Sequence, residues 1–153
     1  MLNYRLATHE DSQLYFDWAN DTDTRRQSFN SAPISLETHK AWFARKLADA
    51  NALLLIFNNE AEEPVGQVRF ERTIDEVIIG VSIDAHFRGQ GLASELIKQG
   101  CTACRKQWGD ITIHAYIKPD NQASVRSFEK AGFTFSHESG KFGVQSLVYT
   151  LPA

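Results

Sequence analysis

One segment of the 153-residue chain has the residue types and spacing to hold an anion. It runs Val81-Ser82-Ile83-Asp84-Ala85-His86-Phe87-Arg88-Gly89-Gln90-Gly91-Leu92-Ala93-Ser94: an apolar run, a glycine-bearing turn and the start of a helical pattern. Backbone N–H groups over residues 89–94 can converge on one oxyanion, helped by the positive end of the helix and by the Arg88 guanidinium. Gly89 and Gly91 remove the Cβ atoms that would hold phosphate oxygens off the amides, and Ala93 keeps the first turn slim. That chemistry suits a pyrophosphate. A P-loop is excluded, because no Gly-Lys-Ser/Thr follows a four-residue gap. Gly89-Gln90-Gly91-Leu92-Ala93-Ser94 comes nearer to a dinucleotide fingerprint, but Ser94 stands where its final glycine should be, and Lys118 where an acid should bind a ribose. Taken alone, the glycines serve a tight strand-to-helix turn equally well.

The elements around this segment follow from hydrophobic period. Residues 2–8 alternate apolar and polar as a strand, and Thr8-His9-Glu10-Asp11 opens a helix with an acidic first turn that continues to about Asn20. A short helical turn over 21–28 and a loop over 29–34 lead to Ser35, which caps a helix carrying Leu36, Phe43 and Leu47 on one side. Strands are expected at 53–57, 65–72 and 76–83, neighbours that suggest an antiparallel meander. A long helix over 92–108 places Leu92, Ala93, Leu96, Ile97, Cys101 and Cys104 on an apolar face and ends at Gly109-Asp110. A strand over 111–117, a helix over 121–131 and two closing strands, from 133 onward and over 145–151, complete the chain. A helix between the strand ending at Ile83 and the one starting at Ile111 implies a right-handed βαβ crossover and a parallel pair. With no repeat, low-complexity tract or linker, residues 1–153 read as one domain.

Read as Arg-x-x-Gly-x-Ala, residues Arg88, Gly91 and Ala93 resemble the Q/R-x-x-G-x-G/A acyl-CoA signature of the GNAT superfamily of N-acetyltransferases. Asn121, Ser124, Phe128 and Gly132-Phe133 are similar to that family's N-x-x-S/A-x-x-x-Y/F-x-x-x-G-F helix. The resemblance implies a mixed α/β fold: a twisted, mixed seven-stranded sheet flanked by about four helices, with a central parallel pair that splays apart. It implies that acetyl-CoA is the co-substrate and that its pantetheine arm lies in the splay like an extra strand. Carried over, the backbone of Val81, Ser82 and Ile83 would hold the arm and the acetyl carbonyl. Arg88, Gly89, Gln90, Gly91, Leu92, Ala93 and Ser94 would take the pyrophosphate, and Asn121, Ser124 and Phe128 would touch the arm.

The family's usual general acid is a tyrosine at the position of Phe128, and a phenyl ring cannot protonate a thiolate. The resemblance leaves that step to Ser124, to solvent, or to a thiolate stabilised by the helix dipole. Attack on a thioester requires a neutral amine, so a base is needed; Glu71, ending the strand beside the pantetheine strand, is the first candidate, with His39 and Tyr116 next. A solvated charge flanked by Arg69 and Arg72 is the structural alternative for Glu71. The segment 17–39, with Trp18, Arg25, Arg26, Phe29, Asn30, Pro33 and His39, resembles nucleotide-amino-sugar N-acetyltransferases of surface-glycan pathways such as that of pseudaminic acid. There Phe29 would stack on a base, Arg25 and Asn30 would meet sugar or phosphate oxygens, and Tyr116 would line the acceptor site. Rival readings are an acetyltransferase for protein N-termini and a CoA-binding module without chemistry.

Composition narrows the partners. Sixteen basic against nineteen acidic residues, with no basic block, leave no footprint for a nucleic-acid backbone. No apolar run approaches the ~20 residues of a membrane span, and the start lacks the pattern of a signal peptide, so a cytoplasmic location is expected. Cys101 and Cys104 fall three turns into a helix and read as core. The histidines lack metal-ligand spacing, so no metal is expected. The remaining expectation is a small-molecule amine acceptor, bound by a monomer or homodimer.

Overall fold

The computed structural model describes residues 2–153. In chain order the strands are β1 (Asn3–Leu6), β2 (Ala52–Asn58), β3 (Pro64–Arg72), β4 (Val77–Ile83), β5 (Ile113–Ile117), β6 (Thr134–Ser139) and β7 (Ser146–Leu151). The helices are α1 (Ser12–Ala19), α2 (Thr22–Gln27), α3 (Leu36–Ala48), α4 (Ala93–Trp108) and α5 (Gln122–Lys130). All seven strands form one sheet in the order β1-β2-β3-β4-β5-β7-β6, antiparallel except for β4 against β5. The meander, the crossover helix α4 and the parallel pair all match the periods of the sequence.

Burial explains why β2 is a continuous apolar run. Leu53, Leu55 and Phe57 join the core beneath α4 and α5, while Leu54 and Ile56 pack with Tyr15, Trp18 and Phe43 of α1 and α3 on the other face. Each such side chain contributes roughly 1.5–3 kcal/mol on burial. The edge strand β1 departs from the expected half-buried alternation: all four of its residues are exposed, and Leu6 stands 61% exposed. It has only β2 beside it, and its Tyr4 ring rests on Phe57.

The parallel pair is short. β4 and β5 pair only at Val77 with Ile113 and Ile78 with His114. Beyond these, β3 keeps hold of β4 as far as Gly66 with Ile83, and β7 keeps hold of β5 as far as Ile117 with Leu147. Each diverging strand is therefore kept straight by its outer neighbour, and a gap opens between their inner edges. Backbone N–H and C=O groups along such an edge require partners.

Candidate active site

β4 leads into the gap's rim. Asp84 takes the His86 amide at 2.9 Å and the Trp18 indole N–H at 2.8 Å, which fixes α1 to the end of β4. The chain then turns through Gly89 and Gly91 at φ +77° and +73°, the left-handed region that costs an L side chain. A Cβ built on either would meet nothing within 4 Å, so these glycines answer to backbone conformation and face open space. Asp21, Ser35 and Asn121 cap α2, α3 and α5 with their side chains, whereas α4 opens at Leu92 with no side-chain cap. Among the described residues no backbone acceptor takes the amides of Gly89, Gln90 or Gly91. With the first-turn amides of Ala93 and Ser94 these are orphan donors at the positive end of a 16-residue helix, an arrangement that fits a pyrophosphate.

Arg88 behaves differently from expectation. Its Nη2 donates to Asp21 Oδ2 at 2.6 Å, its Nη1 to Asp23 Oδ2 at 3.3 Å and its Nε to the Ile83 carbonyl at 3.1 Å. Two carboxylates hold the guanidinium as a strut between α2 and the end of β4, so it is not free for the cradle. Lys118, just beyond β5, donates to the Arg26 carbonyl at 2.9 Å, so α2 is tied to both lips of the splay.

Along the gap, Val81 and Ile83 pack their side chains on the core beneath α4. Ser82 turns to the opposite face and accepts from Gln67 Nε2 at 3.2 Å. Asn121 Oδ1 accepts from the Ser124 amide at 3.2 Å, and Ser124 lies half-buried in the first turn of α5. Phe128 is a core residue, 4% exposed and edge-on to Phe133 at 5.0 Å.

Cross-strand pairs place Gln67, Arg69 and Glu71 of β3 and Gly80 and Ser82 of β4 on the face covered by α1 to α3. Glu71 lies opposite Ile78, at the closed end of the gap, with its carboxylate 3.5 Å from Lys46 Nζ. Val81 is three residues further along β4, about 10 Å at the rise of a strand, so a proton passing to Glu71 would cross through water. His39 is 3% exposed, against the rings of Phe16, Trp42 and Phe43, and its buried Nδ1 lacks a hydrogen-bond partner. Burial, then repulsion from Arg69 and Arg25, holds its imidazole below the usual pKa and therefore neutral.

Tyr116 and the loop residues are also committed elsewhere. Tyr116 Oη donates to Glu76 Oε1 at 2.6 Å, and Lys141 donates to the other oxygen of the same carboxylate. Burial, with that bond, raises the phenol pKa, so Tyr116 stays protonated. Burial alone would raise Glu76 too, but the bonds from Lys141 and Tyr116 prevail and keep its carboxylate ionised. Phe29 already has a stacking partner, Phe142, at 4.9 Å, and Phe142 in turn meets Tyr116 edge-on. Arg25 donates to the carbonyls of Asn30 and Ala32 and to Ser28 Oγ, and the Asn30 side chain accepts from the Ala32 amide. Arg25 and Asn30 thus build the loop that presents Phe29, in place of the expected free contacts with an acceptor.

A splayed parallel pair with an uncapped, glycine-led helix at its rim defines an acyl-CoA transferase architecture. The acetyltransferase (GNAT) domain family matches residues 2–134, and the chain belongs to that family of enzymes. No curated protein matches the chain by sequence. Solved structures share the fold at low identity. An aminoglycoside acetyltransferase AAC(6')-Ib with coenzyme A and kanamycin superposes with a TM-score of 0.85 at 18% identity, over 99% of this chain and 95% of that one. Spermidine N-acetyltransferase from Vibrio cholerae, with CoA and spermine, gives 0.86 at 15% identity over 99% and 95%. A domain from Methanocaldococcus jannaschii gives 0.84 at 20% identity over 100% and 99%.

Four residues on the α1–α3 face or around Tyr116 were not among the site residues expected from the sequence: Arg69, Glu76, Lys141 and Phe142. Arg69 was legible in principle, since Gln67, Arg69 and Glu71 alternate with Val68 and Phe70 on one strand. Lys141 and Phe142 lie on a connection whose position depends on sheet order, which no local pattern encodes.

Proposed function

We propose that the chain, acting as one catalytic unit over residues 1–153, transfers the acetyl group of acetyl-CoA to the primary amine of a small-molecule acceptor by direct attack. The observation that carries this reading is the gap between β4 and β5, which ends at a set of orphan amides on an uncapped helix. The unpaired edges past Ile78 suit an extended amide-bearing arm, and the amides over residues 89–94 suit its pyrophosphate. In the transfer the amine lone pair forms the C–N bond, the C–S bond breaks, the amine proton passes to a base and the thiolate takes up a proton. Glu71 through water is our candidate for the first proton transfer; Ser124 or solvent serves the second, since Phe128 has no hydroxyl. For the acceptor we propose an amino sugar, nucleotide-linked, approaching over the α1–α3 face beneath Phe29 and Phe142.

The test is acetyl-CoA turnover with a panel of amino sugars, nucleotide-linked amino sugars and peptide N-termini, alongside calorimetry of CoA binding. Turnover confined to amino sugars is expected. Turnover confined to peptides would move the assignment to protein N-termini, and tight CoA binding with no turnover on any acceptor would leave a binding module.

A further inference from the structure

Arg69 is a cation without a counter-ion. It lies on the middle strand of the acceptor face, half-buried, and no hydrogen bond or ion pair reaches its guanidinium among the described residues. The carboxylates on β3 and at the two ends of β4 are taken: Glu71 by Lys46, Glu76 by Lys141 and Tyr116, and Asp84 by Trp18 and His86. Its effect on its neighbours is correspondingly one-sided. The Arg25 guanidinium is destabilised first by burial and then by repulsion from Arg69, and its buried Nε has no hydrogen-bond partner.

Gly80 makes room for this charge. It is the cross-strand partner of Arg69, and a Cβ built there would lie 2.8 Å from Arg69 Cζ and 3.0 Å from each terminal nitrogen. The guanidinium therefore lies flat on the backbone of β4, one residue from Val81, at the point where the strand has just parted from β5. A positive group left unpaired beside a gap in the sheet favours an anionic partner, because bringing a cation out of water is unfavourable until a counter-ion and hydrogen bonds compensate it.

We infer that Arg69, set against Gly80 and backed by the positive field of Arg25, is an anion subsite for the acceptor, which carries a carboxylate or phosphate group within reach of its amine. This rests on the acetyl-transfer reading and specifies the acceptor: an anionic amine, the reverse of a polycation.

Matched acceptors separate the chemistry. Glucosamine against glucosamine 6-phosphate tests a phosphate, alaninamide against alanine tests a carboxylate, and spermidine supplies a polycation, all read as kcat/KM with acetyl-CoA. At least one anionic member is expected to exceed its neutral partner by tenfold or more, chiefly through KM. Arg69→Gln should bring it down to the neutral level, and Arg69→Lys should retain part of the preference. Gly80→Ala, whose methyl displaces the guanidinium, should lose it with the charge still present. Melting curves of each variant establish that it is folded. Preference for the neutral members or spermidine, or an anion preference that survives Arg69→Gln in folded protein, would overturn the subsite. If no acceptor is turned over while CoA still binds, the transfer reading fails separately. The subsite is then judged on inorganic phosphate and acetate, one of which must raise the melting temperature of the wild type and not of Arg69→Gln.

Discussion

Replacing Gly91 by alanine separates what the turn costs the fold from what it does for a ligand. At φ +73° an L residue costs roughly 1–2 kcal/mol, and the added methyl meets nothing within 4 Å of the protein, so strain is the whole effect on stability. For a chain of this length that lowers Tm by roughly 2–8 °C. Gly109, which ends α4, is the internal control: its φ is +88°, a Cβ there is equally unobstructed, and it stands at the far end of the helix from the amide cradle. Gly109 also has ψ −175°, a region essentially confined to glycine, so Gly109→Ala should lower Tm by at least as much. The two variants should differ in CoA affinity. A methyl over the amides of Gly91 and Leu92 holds a phosphate oxygen off at least one charge-assisted hydrogen bond, about 1.5–3 kcal/mol or roughly 10- to 150-fold in Kd. Gly91→Asp, adding a negative charge, should lose more. Calorimetry with CoA and thermal melting of the same preparations provide both numbers. Equal CoA affinity in Gly91→Ala and Gly109→Ala, with both folded, would refute the cradle.

Four further outcomes are expected. Glu71→Gln should lower kcat by the ~10²-fold of a lost general base, with the loss shrinking as pH rises and the acceptor deprotonates unaided; near-normal kcat with a slightly lower Tm would reduce Glu71 to its exposed pair with Lys46. Burial raises the Cys101 thiol to about 12 and the Cys104 thiol to about 11, so a thiol reagent at pH 8 should titrate neither in the native protein and both after denaturation. Asp11→Asn removes a carboxylate that accepts from Arg5 at 2.7 and 2.8 Å and from the Thr8 amide, which should cost about 1–3 kcal/mol at neutral pH in denaturant unfolding. The Arg5 bond holds the Asp11 pKa below its usual value, so that stability is fully present above the unfolded carboxylate pKa of about 3.9 and is lost as pH falls through the folded one; the two proteins should converge in acid. Chelation should leave turnover unchanged, and a stoichiometric zinc that disappears together with activity would contradict this.

The division between what the sequence carried and what it did not follows the range of the interactions. The cradle is local: strand, turn and helix start are contiguous, and Gly89 and Gly91 sit at positive φ because the turn requires it. Ser35 and Asn121 cap the helices they were expected to open, again through bonds to residues three along the chain. The side proposed for the acceptor is assembled from α2, α3, β3, β5 and the β6–β7 connection, and there the residue type alone misleads. Arg88 is of the right type for a pyrophosphate, but Asp21 and Asp23 lie 67 and 65 residues away in sequence and take its charge. Phe29 is of the right type to stack on a base, but Phe142 already covers it. No period or spacing predicts which distant partner reaches a side chain first.

That ordering bears on the proton that must leave the acceptor. At the splay the nearest carboxylate on β3, Glu71, lies about 10 Å along the sheet from Val81, whereas Arg69 lies beside Gly80. A positive guanidinium close to an ammonium disfavours the charged form and so lowers the pKa of the amine. If an anion of the acceptor pairs with Arg69, part of that field is cancelled, and the acceptor relies more on a base; if the guanidinium is removed by Arg69→Gln, both the binding and the field go together. The pH profile of kcat on a neutral amine therefore distinguishes the two contributions. In the wild type, the limb that reports acceptor deprotonation should lie at lower pH than in Arg69→Gln, and Glu71→Gln should depress kcat most at the foot of that limb and least at high pH, where the amine is already neutral. A limb that shifts with Glu71 and not with Arg69 would return the control of acceptor protonation to the carboxylate alone.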